Sequence, residues 1–141
     1  MCIGNKKAGD DGIGPFIATS LKKMKNITYL DCGIIPENYT SLVKKYNPNK
    51  LIIIDAADMN LKPGEFRIIS KEKIGLMHIS THNIPLSILI NYLENYIKKI
   101  YFIGIQPKKF VGNISNEVKE SAKNLINIIK KDEIEKIKIL Q

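Results

Sequence analysis

Apolar positions along the chain alternate between two spacings, and that alternation predicts a fold. Met1 to Gly4 opens as a short strand and runs into a glycine-rich loop, Gly4 to Gly12, that enters a helix. Ile13, Phe16, Ile17, Leu21 and Met24 recur at helical spacing and define one buried stripe. Ile27 to Leu30 predicts a second strand ending at Asp31, and Tyr39, Leu42, Val43 and Tyr46 predict an amphipathic helix after Pro36. Lys50 to Asp55 is apolar on both faces, as a central parallel strand requires. Past the Pro63-Gly64 turn, Phe66 to Ile69 predicts a fourth strand at an edge. Leu86, Leu89, Ile90, Leu93 and Ile97 trace another helix, and Ile100 to Ile105 another buried strand, closed by Pro107. Val118, Ala122, Leu125, Ile126 and Ile129 predict the last clear helix, with Ser115 placed to cap it. The Lys-, Glu- and Ile-rich tail is expected to be helical and weakly docked.

Strands and helices in short alternation predict an α/β fold. We expect a single-domain three-layer sandwich over residues 1–141, a mainly parallel twisted sheet of about five strands with helices on both faces. The polar residues that follow the first, second, third and fifth strands then gather at one rim, where ligands bind in such sheets.

Asp55 directly follows the run Leu51-Ile52-Ile53-Ile54, so a carboxylate stands where a buried strand emerges. Burying an unpaired carboxylate in mid-strand costs several kcal/mol or more, whereas at a strand's carboxyl end it can face the ligand crevice. Asp58 competes for the role but falls in the loop toward Pro63-Gly64. The first loop lacks the Gly-x-Gly-x-x-Gly spacing, and Asp10 and Asp11 occupy the helix start where a pyrophosphate would sit. Two carboxylates there repel phosphate and suit a cation, although either acid can instead cap the helix. Thr81-His82-Asn83 precedes a helix with Pro85 in its first turn, which leaves the His82 imidazole free to face the rim. His78 lies four residues earlier, but the helix begins only after both, so the pair is not a helical zinc motif and His78 is assigned a structural place. Asp11, Asp55 and His82 together offer two carboxylates and an imidazole, a set that zinc, nickel, manganese and iron(II) all tolerate.

Composition narrows the function classes. The chain has 141 residues and a formal net charge of +8, yet its lysines fall in scattered pairs and Arg67 is its only arginine. Bidentate phosphate or base recognition relies on guanidinium, so nucleic acid is not expected and an acidic protein partner suits the charge. No apolar run reaches the roughly 20 residues of a membrane span, and no signal peptide is visible, so a soluble cytoplasmic protein without membrane insertion is expected. Cys2 and Cys32 have no metal-ligand spacing and are assigned no chemistry.

The chain resembles the hydrogenase maturation endopeptidases, which process the large subunit of nickel-iron hydrogenases. The stretches that carry the resemblance are Gly4-Asn5 with Gly9 to Pro15, Pro36-Glu37-Asn38, Leu51 to Met59, Pro63-Gly64-Glu65, Thr81 to Leu86, and Phe102 to Pro107. Pro-Glu-Asn, Asp-Ala-Ala-Asp-Met and Thr-His-Asn are most similar to the branch serving formate-hydrogenlyase-type hydrogenases. The resemblance implies removal of a C-terminal extension from the large-subunit precursor after nickel insertion. It also implies that Asp11, Asp55 and His82 meet nickel supplied by the substrate, with no tightly bound resident metal, and that Asn5, Asp10, Gly33 and Thr81 support the substrate loop. Relatives carry a longer first strand, so the start here is expected to be truncated or misassigned and the strand frayed. They also carry a glycine where Cys32 stands, so the loop around Gly33 is expected to depart from theirs in backbone shape.

No Ser-His-Asp or Cys-His arrangement and no His-Glu-x-x-His motif occurs, so metal-assisted hydrolysis is the expected chemistry, with Asp11 or Asp55 as the proton acceptor. Two alternatives stand beside it. One is a nonproteolytic nickel-sensing assembly factor. The other is a flavodoxin-like nucleotide binder, which the acidic first loop opposes. Oligomeric state is not legible in the chain.

Overall fold

The computed structural model describes residues 1–77 and 83–141. Five strands form one sheet: β1 (Cys2–Ile3), β2 (Asp31–Gly33), β3 (Leu51–Ala56), β4 (Phe66–Ile68) and β5 (Ile100–Ile105), in spatial order β2-β1-β3-β5-β4. All neighbours are parallel except β4, which runs antiparallel to β5 at the edge. Helices α1 (Ile13–Leu21) and α5 (Asn116–Lys130) cover one face. Helices α2 (Thr40–Tyr46), α3 (Lys71–Leu76) and α4 (Leu86–Leu93) cover the other.

Each layer follows from side-chain alternation. Ile54, Ile103 and Ile105 join Ile13, Ile17, Val118 and Leu125 in one core, while Ile3, Ile53 and Phe102 join Val43, Leu89 and Leu93 in the other. The first face is bound tightly, because Gly14 of α1 lies directly against β1. A Cβ at Gly14 would stand 2.1 Å from the Ile3 carbonyl oxygen. Alanine is favoured over glycine in a helix by about 1 kcal/mol, yet Gly14→Ala should destabilise the protein by about 2–3 kcal/mol, since α1 must move off the sheet. A urea unfolding midpoint measures the sign directly; a rise would show that the helix can yield.

Several expectations change. The first strand is short but not frayed: Cys2 and Ile3 are buried and pair with β2 on one side, and Cys2 pairs with β3 on the other. The Met1 ammonium donates to the Ile52 carbonyl at 2.8 Å, which anchors the start further. The second strand is not Ile27 to Leu30 but Asp31–Gly33, because its one partner is the two-residue β1, which reaches only Asp31 and Gly33. Helix α3 was not anticipated. The tail is docked rather than loose, and only Ile134–Lys136 is helical, as a 3-10 turn. Ile134 and Ile137 are buried, and residues 138–140 extend along β4, where Ile68 N–H donates to Lys138 O at 3.0 Å and Leu140 N–H to Ile68 O at 2.9 Å.

Candidate functional site

The carboxyl ends of β1, β2, β3 and β5 share one rim, and the loop after β1 crosses it. Gly4 turns that loop with φ +149°, and a Cβ there would lie 1.9 Å from the Asp11 carbonyl oxygen, so only glycine lets the loop close on itself. A 3-10 turn, Gly9–Gly12, carries Asp10 and Asp11 into α1 and packs against β3. The half-buried Asp11 accepts the Asn5 backbone N–H on Oδ2 at 2.9 Å, and the Asn5 side chain in turn accepts the Lys7 N–H at 2.9 Å. This pair of bonds orients the Asp11 carboxylate from within its own loop.

Asp55 occupies the penultimate position of β3 and is completely buried. It shares a face with Leu51 and Ile53, toward the layer of α2, α3 and α4, and its Oδ1 accepts the Ala56 N–H at 2.8 Å. Gly104 stands opposite it on β5. The neighbouring strands β1 and β3 thus deliver Asp11 and Asp55 to one rim. His82, Thr81 and His78 lie outside the described residues. Among the described residues no group of three or more ligating side chains forms a metal cluster.

Asp10, three positions from the exposed Lys7, does a different job. Its buried carboxylate accepts four hydrogen bonds: from Lys108 N–H at 2.7 Å, Lys109 N–H at 3.0 Å, Ser115 N–H at 2.6 Å and the Ser115 hydroxyl at 2.8 Å. Burial alone would raise its pKa, but the bonds from Ser115, Lys108 and Lys109 outweigh it and hold the carboxyl below its ordinary value. Ser115 stands at the start of α5 as expected, yet its hydroxyl donates to Asp10 instead of capping the helix. Gly33 ends β2 with φ +53°, and its carbonyl accepts the Gly4 N–H at 2.8 Å.

Asp58 is exposed, in the loop after β3, as its spacing predicted. A residue that sequence reasoning missed holds that loop. Gln106, buried just past β5, accepts the Met59 and Leu61 N–H groups on Oε1 at 2.7 and 3.2 Å, and its amide donates to Asp58 Oδ1 at 3.1 Å. The signal that singles out Asp55, a polar residue straight after an apolar run, applies equally to Gln106. Asp58→Asn keeps an acceptor for these bonds and should leave activity within about twofold of wild type, unlike changes at Asp55.

A cavity among the described residues lies away from the rim. It has a volume of about 460 Å³ and opens at the amino ends of the strands, lined by Met1, Tyr29, Leu30, Val43, Leu51 and Ile129 among others, far from the Asp11 turn. Of the two carboxylates, Asp11 is half-buried in the loop that crosses the rim and Asp55 is buried behind it at the end of β3. Cys2 and Cys32 are free and buried, and desolvation raises both thiols, Cys32 to about 12. Neither is a nucleophile at neutral pH, so both should react with a thiol reagent only as fast as the protein opens. Stoichiometric labelling within seconds in native buffer would contradict their burial.

Comparison with known proteins identifies the family. A family model described as hydrogenase maturation protease matches residues 16–132, a span that includes Asp55 and His82 and begins after Asp11. The chain is 42% identical over 110 residues to the hydrogenase 3 maturation protease of Escherichia coli K12, covering 76% of this chain and 70% of that one. The solution structure of the endopeptidase HycI from Escherichia coli superposes with a TM-score of 0.90 at 34% identity, covering 99% of this chain and 94% of that one. The crystal structure of a [NiFe] hydrogenase maturation protease HycI from Thermococcus kodakarensis gives a TM-score of 0.83 at 30% identity, covering 94% and 88%. Among the described residues no helix is long and apolar enough to cross a membrane. With a family model that matches most of its length and these relatives, the chain belongs to the hydrogenase maturation protease family and is a peptidase.

Proposed function

We propose that this protein is the cytoplasmic endopeptidase that removes the C-terminal extension of a nickel-iron hydrogenase large-subunit precursor after nickel has been inserted. The observation that supports the reading is that Asp55 stands at the end of β3, against the turn that carries Asp11, in a chain of this family. In this reading Asp11, Asp55 and His82 meet nickel that arrives as the substrate's own cargo. Two carboxylates and an imidazole suit a borderline divalent ion and leave positions for ligands that the precursor keeps. A tightly bound resident metal has no part in it.

The cleavage follows from that encounter. Nickel contact aligns the precursor's tail across the rim, and water attacks the scissile carbonyl carbon. Its proton passes to Asp11 or Asp55, and the C–N bond breaks as the departing amine gains a proton. The Asn5 N–H holds Asp11 in position before the substrate arrives, at 2.9 Å. Asp10 holds the same loop through the backbone N–H groups of Lys108, Lys109 and Ser115, and Gly33 through the Gly4 N–H, while Thr81 is given the same role by the resemblance alone.

Incubating the protein with nickel-loaded precursor and measuring the intact mass of the large subunit tests the reading. Loss of the tail mass is expected. A loaded precursor that is bound but keeps its tail contradicts it and favours a nickel-sensing assembly factor that does not cut.

A further inference from the structure

We propose that Phe110–Val111 and Ile34–Ile35 form a two-sided docking surface that grips an apolar, acid-flanked segment of the large-subunit precursor across the Asp11 loop. The inference rests on the function proposed above and adds to it which surface selects the substrate.

The segment after β5 is held unusually firmly for a loop. The Asp10 carboxylate gathers the N–H groups of Lys108, Lys109 and Ser115, and the Asp10 N–H donates back to the Lys109 carbonyl at 2.9 Å. Gly9, with φ +56°, lets the two backbones touch: a Cβ there would stand 2.7 Å from Val111 N and 2.8 Å from Lys109 O. Despite this bracing, Phe110 is 57% and Val111 73% exposed. A loop fixed by a buried carboxylate that nonetheless shows two large apolar side chains to water points to a protein partner, since fixing it beforehand removes the ordering cost of binding.

The other end of the Asp11 loop is built in the same way. Gly4 N–H is bonded to the Gly33 carbonyl, and Ile34 and Ile35 follow at once, 49% and 37% exposed. The Ile35 N–H donates to the Cys32 carbonyl at 3.2 Å, closing the turn that displays them. The loop that carries Asp11 is therefore tied at its start to one exposed apolar pair and at its end to the other. Lys7 and Lys109 are exposed beside these pairs, Lys6 is exposed but paired with Asp31 at 3.4 Å, and the chain carries a net charge of +8. That charge selects a partner whose apolar segment is flanked by acidic residues.

Two variants test the proposal with purified nickel-loaded precursor: the double substitution Phe110→Ser with Val111→Ser, and Ile34→Ser. Both replace exposed side chains and should leave the melting temperature close to that of wild type. For each, KM should rise at least about tenfold while kcat stays within about twofold, the pattern of lost uniform binding. Lys109→Glu, which reverses a surface charge without touching the core, should raise KM in the same direction, more at low salt than at high. KM values within about twofold of wild type in all three variants would overturn the docking surface. If wild type binds the precursor without cutting it, the proposed function fails alone, and the dissociation constants of the same variants decide the docking surface: about tenfold weaker supports it, unchanged overturns it. No binding of loaded precursor by wild type overturns both.

Discussion

Asp55→Asn is expected to lower tail removal by at least about 10³-fold while the protein remains folded, the scale seen when a group acting at the reacting centre is lost. Asparagine matches aspartate in volume and keeps an oxygen to accept the Ala56 N–H, so the end of β3 is preserved. What disappears is a carboxyl group beside the Asp11 turn, the ligand that a metal centre on the substrate would meet. Asp11→Asn should behave alike, because the Asn5 N–H retains an acceptor while the charge is lost. Circular dichroism and a melting curve confirm folding, and the intact mass of the precursor reports cleavage. Asp55→Asn activity within about tenfold of wild type would remove this carboxylate from the chemistry. The exposed Asp58 provides the contrast, being three residues further on in the loop after β3 and expected to be dispensable.

Asp10→Ala is expected to cost about 3–5 kcal/mol of folding stability, a large loss for a single residue. Four donors converge on this one buried carboxylate, and alanine would strand them away from water. The same residue makes stability depend on pH, with a definite sign. Its folded pKa lies below the ordinary value of 3.8, so its contribution is fully present above that pH and is lost as the pH falls through the folded value. Wild type should therefore weaken in acid relative to pH 7, and Asp10→Ala should show a smaller decline over the same range. Urea midpoints of both proteins at pH 7 and pH 3 measure the difference. Equal stability of the two proteins at pH 7 would show that the loop after β5 does not need this carboxylate.

Much of the architecture was legible because its signals were long and one-sided. Ile100 to Ile105 is an unbroken buried run ended by a proline, and its strand bounds agree with the expectation. Helix α5 buries Val118, Ala122, Leu125 and Ile129 at helical spacing, which a single stripe in the sequence displays. Where the signal was short, partners decided. Helix α3 spans six residues with a glycine inside and only Ile74 buried, too little for a periodic pattern to register. The tail carries Ile134, Ile137 and Ile139 among charges, a spacing that serves a short turn and then an extended edge pairing on β4, rather than a helix.

The site divides along the same line. Asp55 was visible because a charge directly after an apolar run is costly unless the strand is ending, and the structure places it at that end. Asp10 and Asp11 are adjacent and chemically identical, so nothing local distinguishes them. The distinction comes from Ser115 and the 108–109 backbone, about a hundred residues away in sequence, which claim Asp10 and leave Asp11 in its own loop. Gln106 carries the same positional signal as Asp55 but no charge, so its place at the strand end costs less and stands out less, although it organises the loop that follows Asp55.

The central claim is that this peptidase cuts only after meeting nickel carried by its substrate. One measurement tests it most directly: time courses of tail removal by wild type from nickel-loaded and nickel-free forms of the same precursor, followed by intact mass. Rapid loss of the tail from the loaded form, with the nickel-free form uncut over the same period, is the predicted result. Equal rates from both forms would contradict the account, because Asp11, Asp55 and His82 would then be cutting without inspecting the metal.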